Sequence, residues 1–295
     1  PLQTGFYRVK YAPEELERLK APIRDLALPP ADRLGIQNDT YALARAGHIP
    51  AVRFLDIAQA YVNETDATVC GDLATNLGAV DVLLWDEPSY AGFQAFGRAV
   101  FQPIGARIGW DARDAEREMD ALLRSTALAQ LAGYGDEATL REGKERFSSY
   151  VDDRASVIAD IRGVVFGIAA RTGDRSTYDT IWELQKATDL AEEKVRLLMA
   201  LGRFEQPELL AETLERSLSD DVRVHDTIGV MHSVACNRLG RDLAWEFLKD
   251  NWGEFDRRYG EGGFGLMQLV SFTSAFTSQE KRDEVERFFR DHPAP

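Results

Sequence analysis

The sequence predicts an all-α protein in which helix pairs stack into a curved, solenoid-like array over residues 13–295. Apolar residues recur with the 3.6-residue period of amphipathic helices along nearly the whole chain. Polar, glycine or proline breaks divide this pattern into helix pairs of about 35 to 45 residues, a spacing typical of helical repeats with a weak consensus. No long linker rich in Ser, Gly or Pro interrupts the array, so each pair is expected to bury one face on its neighbours.

Residues 1–12 are the one predicted exception to the helical pattern. Between residues 2 and 11, Tyr7, Val9 and Tyr11 occupy alternate positions, which is the period of a half-buried β-strand. No second strand follows convincingly. Because a lone strand has unpaired backbone groups, we expect this one to dock on the helices or to join a sheet outside this chain.

The helical pattern begins at Pro13, a residue suited to a first helical turn, and Pro29 and Pro30 end one helix and open the next. Capping signals at Asp189 with Glu192, and at Thr277 with Glu280, predict two later helix starts. Further helical stripes lie at residues 52–58, 73–85, 93–108, 119–131, 158–168, 190–201, 210–218 and 228–236.

The segment 237–264 predicts a strongly anchored helix followed by a permissive loop. Trp245, Leu248 and Trp252 fall at i, i+3 and i+7, so they share one face that we expect to be buried. Four glycines between positions 260 and 265 then end the pattern and allow a close approach of backbone or ligand. Glu261 and Phe264 on this loop are candidates for a pocket wall. The simpler alternative is a helix-to-helix turn with a glycine cap.

Composition limits the possible partners and compartments. The formal charge is −14, from 35 basic and 49 acidic residues, which argues against nucleic acid and would suit basic peptides or simply a soluble acidic surface. The chain shows neither a signal-peptide pattern nor an apolar run of about 20 residues that would span a bilayer. Cys70 and Cys236 are expected to be buried thiols rather than a disulfide, which favours the reducing cytoplasm.

The sequence contains no recognisable catalytic or metal centre. None of the four histidines belongs to a His-Glu-x-x-His motif, and His225 and His232, seven positions apart, have no nearby cysteine to complete a site. The glycine-rich segment lacks the Lys-Ser/Thr of a phosphate-binding loop, and no Gly-x-Ser-x-Gly motif is present. The only candidate catalytic groups for an independent enzyme are clustered carboxylates.

Several stretches, in one order along the whole chain, resemble the C-terminal part of zinc-dependent M1 aminopeptidases, most closely the puromycin-sensitive branch. The stretches are QTGFYRVKY at 3–11, DRLGIQND at 32–39, ALAR at 42–45, PIG at 103–105, GWD at 109–111, EEK at 192–194, AWEFLKDNW at 244–252, GGF at 262–264 and HPAP at 292–295. Each match is weak alone, but the collinear set is specific.

This resemblance implies a bowl of HEAT/ARM-like helix pairs over residues 13–295 that caps the active site of a separate catalytic domain and shapes its peptide cavity. Residues 1–12 would form the junction with an upstream β-sandwich domain, and the helical domain would be truncated at its C-terminal end. The family's zinc would lie in the catalytic domain, so this chain alone would not hydrolyse peptides. Its partners would be that domain and peptide substrates, and the isolated piece could self-associate through its exposed interface.

The resemblance also implies roles for particular residues. Glu261 and Phe264 would approach the pocket for the first side chain of the substrate, and Arg203 would meet the carboxylate end of long peptides. An exposed loop arginine is the simpler interpretation of Arg203. A second group would serve structural or interdomain contacts: Phe6, Tyr7, Asp32, Arg33, Asn38, Asp39, Trp245 and Trp252. The alternative to this whole assignment is a free-standing HEAT-like scaffold that binds protein or peptide partners.

Overall fold

The computed structural model describes residues 7–114, 116–261 and 264–293. Within these ranges every regular element is helical, with sixteen α-helices and three short 3₁₀-helices, which confirms the all-α prediction. Backbone contacts divide the chain into two compact units, each described by itself below. The first unit comprises residues 1–142 and 157–161, and the second comprises residues 143–156 and 162–295.

The predicted N-terminal strand is absent from the part of it that the structure describes. Residues 7–12 have no regular secondary structure, and residues 1–6 lie outside the described ranges. The Val9 N–H, which a strand would give to a neighbouring strand, donates instead to the Asp39 carboxylate at 3.1 Å. Arg8 donates to the same carboxylate, also at 3.1 Å. This segment is therefore held by side-chain hydrogen bonds to a helix rather than by sheet pairing.

The first unit is built from six helices and a 3₁₀-helix, Gln59–Asn63. The α-helices are α1 Pro13–Arg24, α2 Pro30–Arg45, α3 Ala51–Ala58, α4 Ala67–Leu84, α5 Tyr90–Ile108 and α6 Glu118–Gly133. Helix α4 packs between α2 and α6, while α3, the 3₁₀-helix and α5 cover them from the other side. Their shared core includes the buried side chains Phe54, Leu73, Leu77 and Phe101. Alternate helices thus form two layers.

Among the described residues, α4 alone is long and apolar enough to cross a membrane by length and composition, with a mean hydropathy of 1.3 over its 18 residues. Cys70, Leu73 and Leu77, along the first three turns of this helix, are buried in the core of the first unit. This core accounts for the apolar residues in the first half of α4, whereas Leu83 near its end is 62% exposed.

Two helices have residues in both units, and eight more complete the second. The former are α7 Glu137–Asp152 and α8 Ala159–Thr172. The latter are α9 Arg175–Ala187, α10 Ala191–Leu201, α11 Pro207–Ser217, α12 Val224–Ala235, α13 Arg241–Asp250, α14 Trp252–Tyr259, α15 Phe264–Val270 and α16 Gln279–Asp291. Helix α10 contacts α9 and α12, and α12 contacts α11, α13 and α15. The second unit therefore also has two layers, with α10, α12 and α15 in one and α9, α11 and α13 in the other.

Helix starts follow local capping, although not always at the predicted residue. Asp66 and Asp174 cap α4 and α9 by accepting backbone N–H groups of the first turn. Helix α16 is capped by Ser278, one residue after the predicted Thr277, because the backbone is still extended at position 278. The cap predicted at Asp189 is also displaced, since α10 has Leu190 at its N-cap and no side-chain cap.

The predicted stripe of Trp245, Leu248 and Trp252 is divided between two helices. Helix α13 ends at Asp250, and Trp252 begins α14. Both indoles nevertheless pack on the same two rings of α16: the centroids of Phe288 and Phe289 lie 5.2 and 6.0 Å from Trp245 and 5.4 and 5.7 Å from Trp252. Trp245 and Leu248 are fully buried as expected, but Trp252 is only half-buried, although both indoles belong to one aromatic cluster.

Candidate functional site

Two arginines of the second unit extend over glycines of α8. A Cβ atom added at Gly167 of α8 would be only 3.0 Å from Cδ and 3.3 Å from Nε of Arg203. One turn earlier in α8, Gly163 faces the stem of Arg196 at 4.0 Å. The absence of side chains on α8 therefore lets both arginines extend across this helix. We call the surface formed by Arg171, Arg196 and Arg203 the arginine face.

Arg203 differs from the other two arginines of this face because no described residue pairs with it. Arg171 forms an ion pair with Glu205 at 3.3 Å, and Arg196 forms one with Glu192. The Arg203 side chain has neither a hydrogen bond nor an ion pair with any residue that the structure describes, and it is solvent-exposed. It is a guanidinium available to an anion.

Part of the Arg203 side chain is covered although the residue as a whole is exposed, because its Cδ and Nε lie against Gly167. Desolvation by neighbouring protein lowers the pKa of the Arg203 guanidinium, Cys236 opposes this shift, and Arg171 adds to it. Close to these protein atoms the electrostatic attraction of a carboxylate is less screened by water than in open solvent.

The prediction that both thiols are buried is wrong for Cys236. Cys70 is buried in α4, and burial raises its pKa to about 12. Cys236 is exposed, because it follows the last residue of α12, where the helix ends and the side chain is no longer covered. It lies close enough to Arg203 to affect that residue's pKa.

The glycine-rich loop leads into α15, which packs on α12. Glu261 is exposed, and Phe264, the first residue of α15, is 82% exposed. The other two glycines of the predicted loop, at 262 and 263, lie outside the described residues. Helix α15 is fixed to α12 by a hydrogen bond from His232 Nε2 to the Gln268 carbonyl at 2.7 Å. Arg203, at the end of α10, and Phe264 thus belong to one layer of helices.

The DRLGIQND segment forms a buried polar network inside the first unit. Arg33 holds Glu64 with two hydrogen bonds, Nε to Oε2 at 2.8 Å and Nη2 to Oε1 at 2.6 Å. Asp39 is buried and accepts from Arg8 and from the Val9 backbone. Arg33 and Asp39 therefore have structural partners within this chain.

The remaining predicted contact residues occupy varied positions. Asn38 and Asp32 are half-buried in α2. Tyr7 is exposed, whereas Phe6 lies outside the described residues. Trp245 and Trp252 belong to the aromatic cluster of α13, α14 and α16, so they stabilise the end of the second unit.

A groove between α7 and α9 is the feature that the sequence did not reveal. It encloses about 470 Å³, and α8 forms its floor with Ala169 and Thr172. Its walls are Lys144, Phe147, Ser148, Val151 and Asp152 of α7, and Ser176, Thr177 and Thr180 of α9, with Gly173 and Asp174 at one end. We call this the α7–α9 groove. The spacing of its α7 residues, i, i+3, i+4, i+7 and i+8, was the available signal.

Within the described ranges, no group of three His, Cys, Asp or Glu side chains is arranged to hold a metal ion. His225 and His232, which the sequence places seven residues apart, have other surroundings. His232 contacts the Gln268 carbonyl of α15, and His225 lies beside Asp226 at 3.6 Å. The donor set of these residues does not suit a zinc site of the kind that M1 enzymes carry.

Comparison with known proteins gives a match along the full chain. A family model described as "ERAP1-like C-terminal domain" matches residues 2–295. Aminopeptidase M1-A of Oryza sativa subsp. japonica is 36% identical, over 98% of this chain and 33% of its own length. Aminopeptidase M1 of Arabidopsis thaliana is 32% identical over 99% of this chain and 34% of its own. The puromycin-sensitive aminopeptidase of Caenorhabditis elegans is 26% identical, over 97% and 30%. The chain thus spans about a third of the length of these relatives.

Proposed function

Because the chain belongs to the ERAP1-like C-terminal domain family of M1 aminopeptidases, we propose that it caps the active site of a zinc aminopeptidase and shapes the cavity for the peptide. Catalysis would take place in another part of the full-length enzyme. The observation that carries this proposal is the exposed Arg203 guanidinium, which lies across Gly167 on the arginine face and has no partner among the described residues.

The overall arrangement that we propose is a bowl of HEAT/ARM-like helix pairs. It is supported by the two-layered packing within each unit, in which alternate helices share a layer. Residues 1–12 would enter from an upstream β-sandwich domain, and the hydrogen bonds of Arg8 and Val9 to Asp39 would fix their direction. Tyr7 and Asn38 would meet the neighbouring domain. The two free thiols are compatible with a cytoplasmic enzyme.

The substrate contacts that we propose lie on one layer of helices. Arg203 would bind the C-terminal carboxylate of a long peptide through two parallel hydrogen bonds. Glu261 and Phe264 would reach toward the first side chain of the substrate, because they flank the glycine-rich loop and are exposed. The catalytic zinc would be bound outside the described residues of this chain, whose carboxylates and histidines form no suitable cluster.

The test of the Arg203 role uses Arg203→Gln in the full-length enzyme with peptides of increasing length. A charge-assisted hydrogen bond is worth about 1.5–3 kcal/mol, so kcat/KM for long peptides should fall about 10- to 100-fold. Aminoacyl reporter substrates should be unaffected. Peptides amidated at the C-terminus should already be poor substrates of the unmodified enzyme and should lose little more.

Arg196→Gln is the matched control, because Arg196 crosses the same helix but is paired with Glu192. An equal loss for short reporters and long peptides, or an equal loss in the control variant, would exclude carboxylate binding by Arg203. Separately, Phe264→Ala should change the preference among first-residue side chains. An unchanged preference would remove the loop from the substrate pocket.

The isolated chain provides a further test of its dependence on the catalytic part. We expect it to release no amino acid from aminoacyl reporters and to contain no stoichiometric zinc by metal analysis. Turnover accompanied by bound zinc would overturn the proposed role of this chain as a non-catalytic cap.

A further inference from the structure

The α7–α9 groove continues along the whole outer stripe of α9. Beyond Thr180, the stripe continues through Glu183, Leu184 and Ala187, which line an open extension of the groove. From Ser176 to Ala187 the stripe covers twelve residues of α9, or about 17 Å at a rise of 1.5 Å per residue. It therefore offers a surface that matches one face of a helix of about three turns.

The lining combines an apolar floor with acidic rims. Ala169 of the floor and Phe147 of the wall supply apolar lining, and Val151, a large apolar side chain that is 43% exposed, lies at the edge of the groove. Four carboxylates line the groove and its extension: Asp152, Asp174, Asp179 and Glu183. The lining cations are Lys144 and Arg175, so the formal charge is 2 − 4 = −2.

The cation at the extension is already neutralised within the chain. Arg175 forms ion pairs with Glu212 at 2.7 Å and with Asp179 at 3.6 Å. Three of the four carboxylates also have partners: Asp174 caps α9 by accepting from Thr177, Asp179 pairs with Arg175, and Glu183 lies 3.9 Å from Lys186. The Asp152 side chain, in contrast, has no hydrogen bond or ion pair with a residue that the structure describes. An incoming cation could therefore approach the Asp152 carboxylate without breaking an existing bond.

The side of α9 that faces α11 is covered by direct contacts between the two helices. There the Thr213 hydroxyl of α11 donates to the Tyr178 hydroxyl of α9 at 3.1 Å. On the groove side, Ala169 and Thr172 of α8, together with Gly173 just after this helix, leave space between α7 and α9. Helix-in-groove recognition uses this combination of apolar anchors at helical spacing and charged rims.

We propose that the α7–α9 groove is a docking site for a short amphipathic helix of a partner protein, with apolar residues on one face and Lys or Arg along its edges. The apolar face packs on Phe147, Val151 and Leu184. The cations lie against Asp152 and Glu183. The site is distinct from the arginine face, so its failure would leave the proposed substrate contacts untouched.

The test measures fluorescence anisotropy of a labelled twelve-residue helical peptide of Leu and Lys, with Leu at i, i+3, i+4, i+7 and i+8, titrated with the full chain. A peptide with Glu in place of every Lys is the negative probe. We expect saturable binding of the Lys peptide that weakens several-fold between 50 and 200 mM salt, because exposed charges are screened. The Glu peptide should not bind.

Variants locate the binding. Val151→Asp, and Asp152→Lys with Glu183→Lys, should each weaken binding at least tenfold, and their exposed positions leave the fold intact, as circular dichroism will verify. The matched controls are Val52→Asp, at a valine that is 63% exposed on α3, and Asp220→Lys with Asp221→Lys. The proposal would be overturned by equal effects in groove and control variants or by binding of the Glu peptide. It would also be overturned if the Lys peptide did not bind, or if a second copy of this chain occupied the groove.

Discussion

The buried ion pair between Arg33 and Glu64 permits a quantitative prediction about the first unit. The two side chains are 4% and 0% exposed, and they form two parallel hydrogen bonds. Glu64 Oε1 also accepts the backbone N–H groups of Thr65 and Asp66, both at 2.8 Å. Glu64 therefore connects α2 to the start of α4, and the hydrogen bonds that Arg33 donates to Glu64 raise the pKa of the Arg33 guanidinium.

We expect Glu64→Gln to lower the free energy of unfolding by about 3 kcal/mol, since removing one partner of a buried pair leaves an uncompensated charge. In an Arg33→Met background the same change should cost nothing or be stabilising, because Glu64 is then itself a buried charge without its partner. The coupling energy is therefore about 3 kcal/mol or more. The measurement is urea unfolding at pH 7, followed both by tryptophan fluorescence and by circular dichroism because the chain has two units. A cost below about 0.5 kcal/mol in both backgrounds would refute this reasoning.

Two further predictions concern the second unit. Gly202→Ala should destabilise this unit by about 1–3 kcal/mol, because the new Cβ would lie 2.5 Å from the Ser233 carbonyl carbon. Gly163→Ala should be neutral or stabilising by up to about 1 kcal/mol, because the nearest atom to its Cβ would be 4.0 Å away. Equal urea midpoints for the two variants would contradict this prediction. Glu284 accepts from Trp245 and Lys249, and these bonds hold its pKa at about 2, below the usual 4.5. The contribution of ionised Glu284 to the free energy of unfolding is thus complete above pH 4.5 and is lost as the pH falls toward 2. The free energy of unfolding of Glu284→Gln should therefore be about 1 kcal/mol lower at pH 6. Between pH 6 and pH 3 it should fall less in this variant than in the unmodified chain. An unchanged pH dependence of the urea midpoint would contradict that assignment.

The helices were predictable where apolar residues repeat strongly. Helices α5 and α10 coincide with predicted stripes to within a few residues, because their buried positions carry large apolar side chains. Helices α7 and α9 were not singled out from the sequence. In α9, Gln185 occupies a buried position at the end of the stripe begun by Tyr178, and in α7 only a few apolar residues mark the inner face.

Pairing between distant residues was beyond the sequence. Arg33 and Glu64 are 31 positions apart, and nothing in either segment shows that one neutralises the other. The sequence also does not show that the Arg203 side chain has no partner among the described residues, because that depends on which side chains the fold brings near it. The strand predicted before residue 12 followed a real alternation, but alternation cannot supply the neighbouring strand that pairing needs.

The contrast between the two thiols has a practical consequence. Cys70 of α4 is buried in the core of the first unit, whereas Cys236 is exposed and lies near Arg203 of the arginine face. A maleimide dye or spin label applied to the native protein would therefore attach at Cys236 alone, with no engineered residue. Such a probe would report from a position next to Arg203 whenever a peptide arrives or departs, so occupancy could be followed in real time without observing turnover.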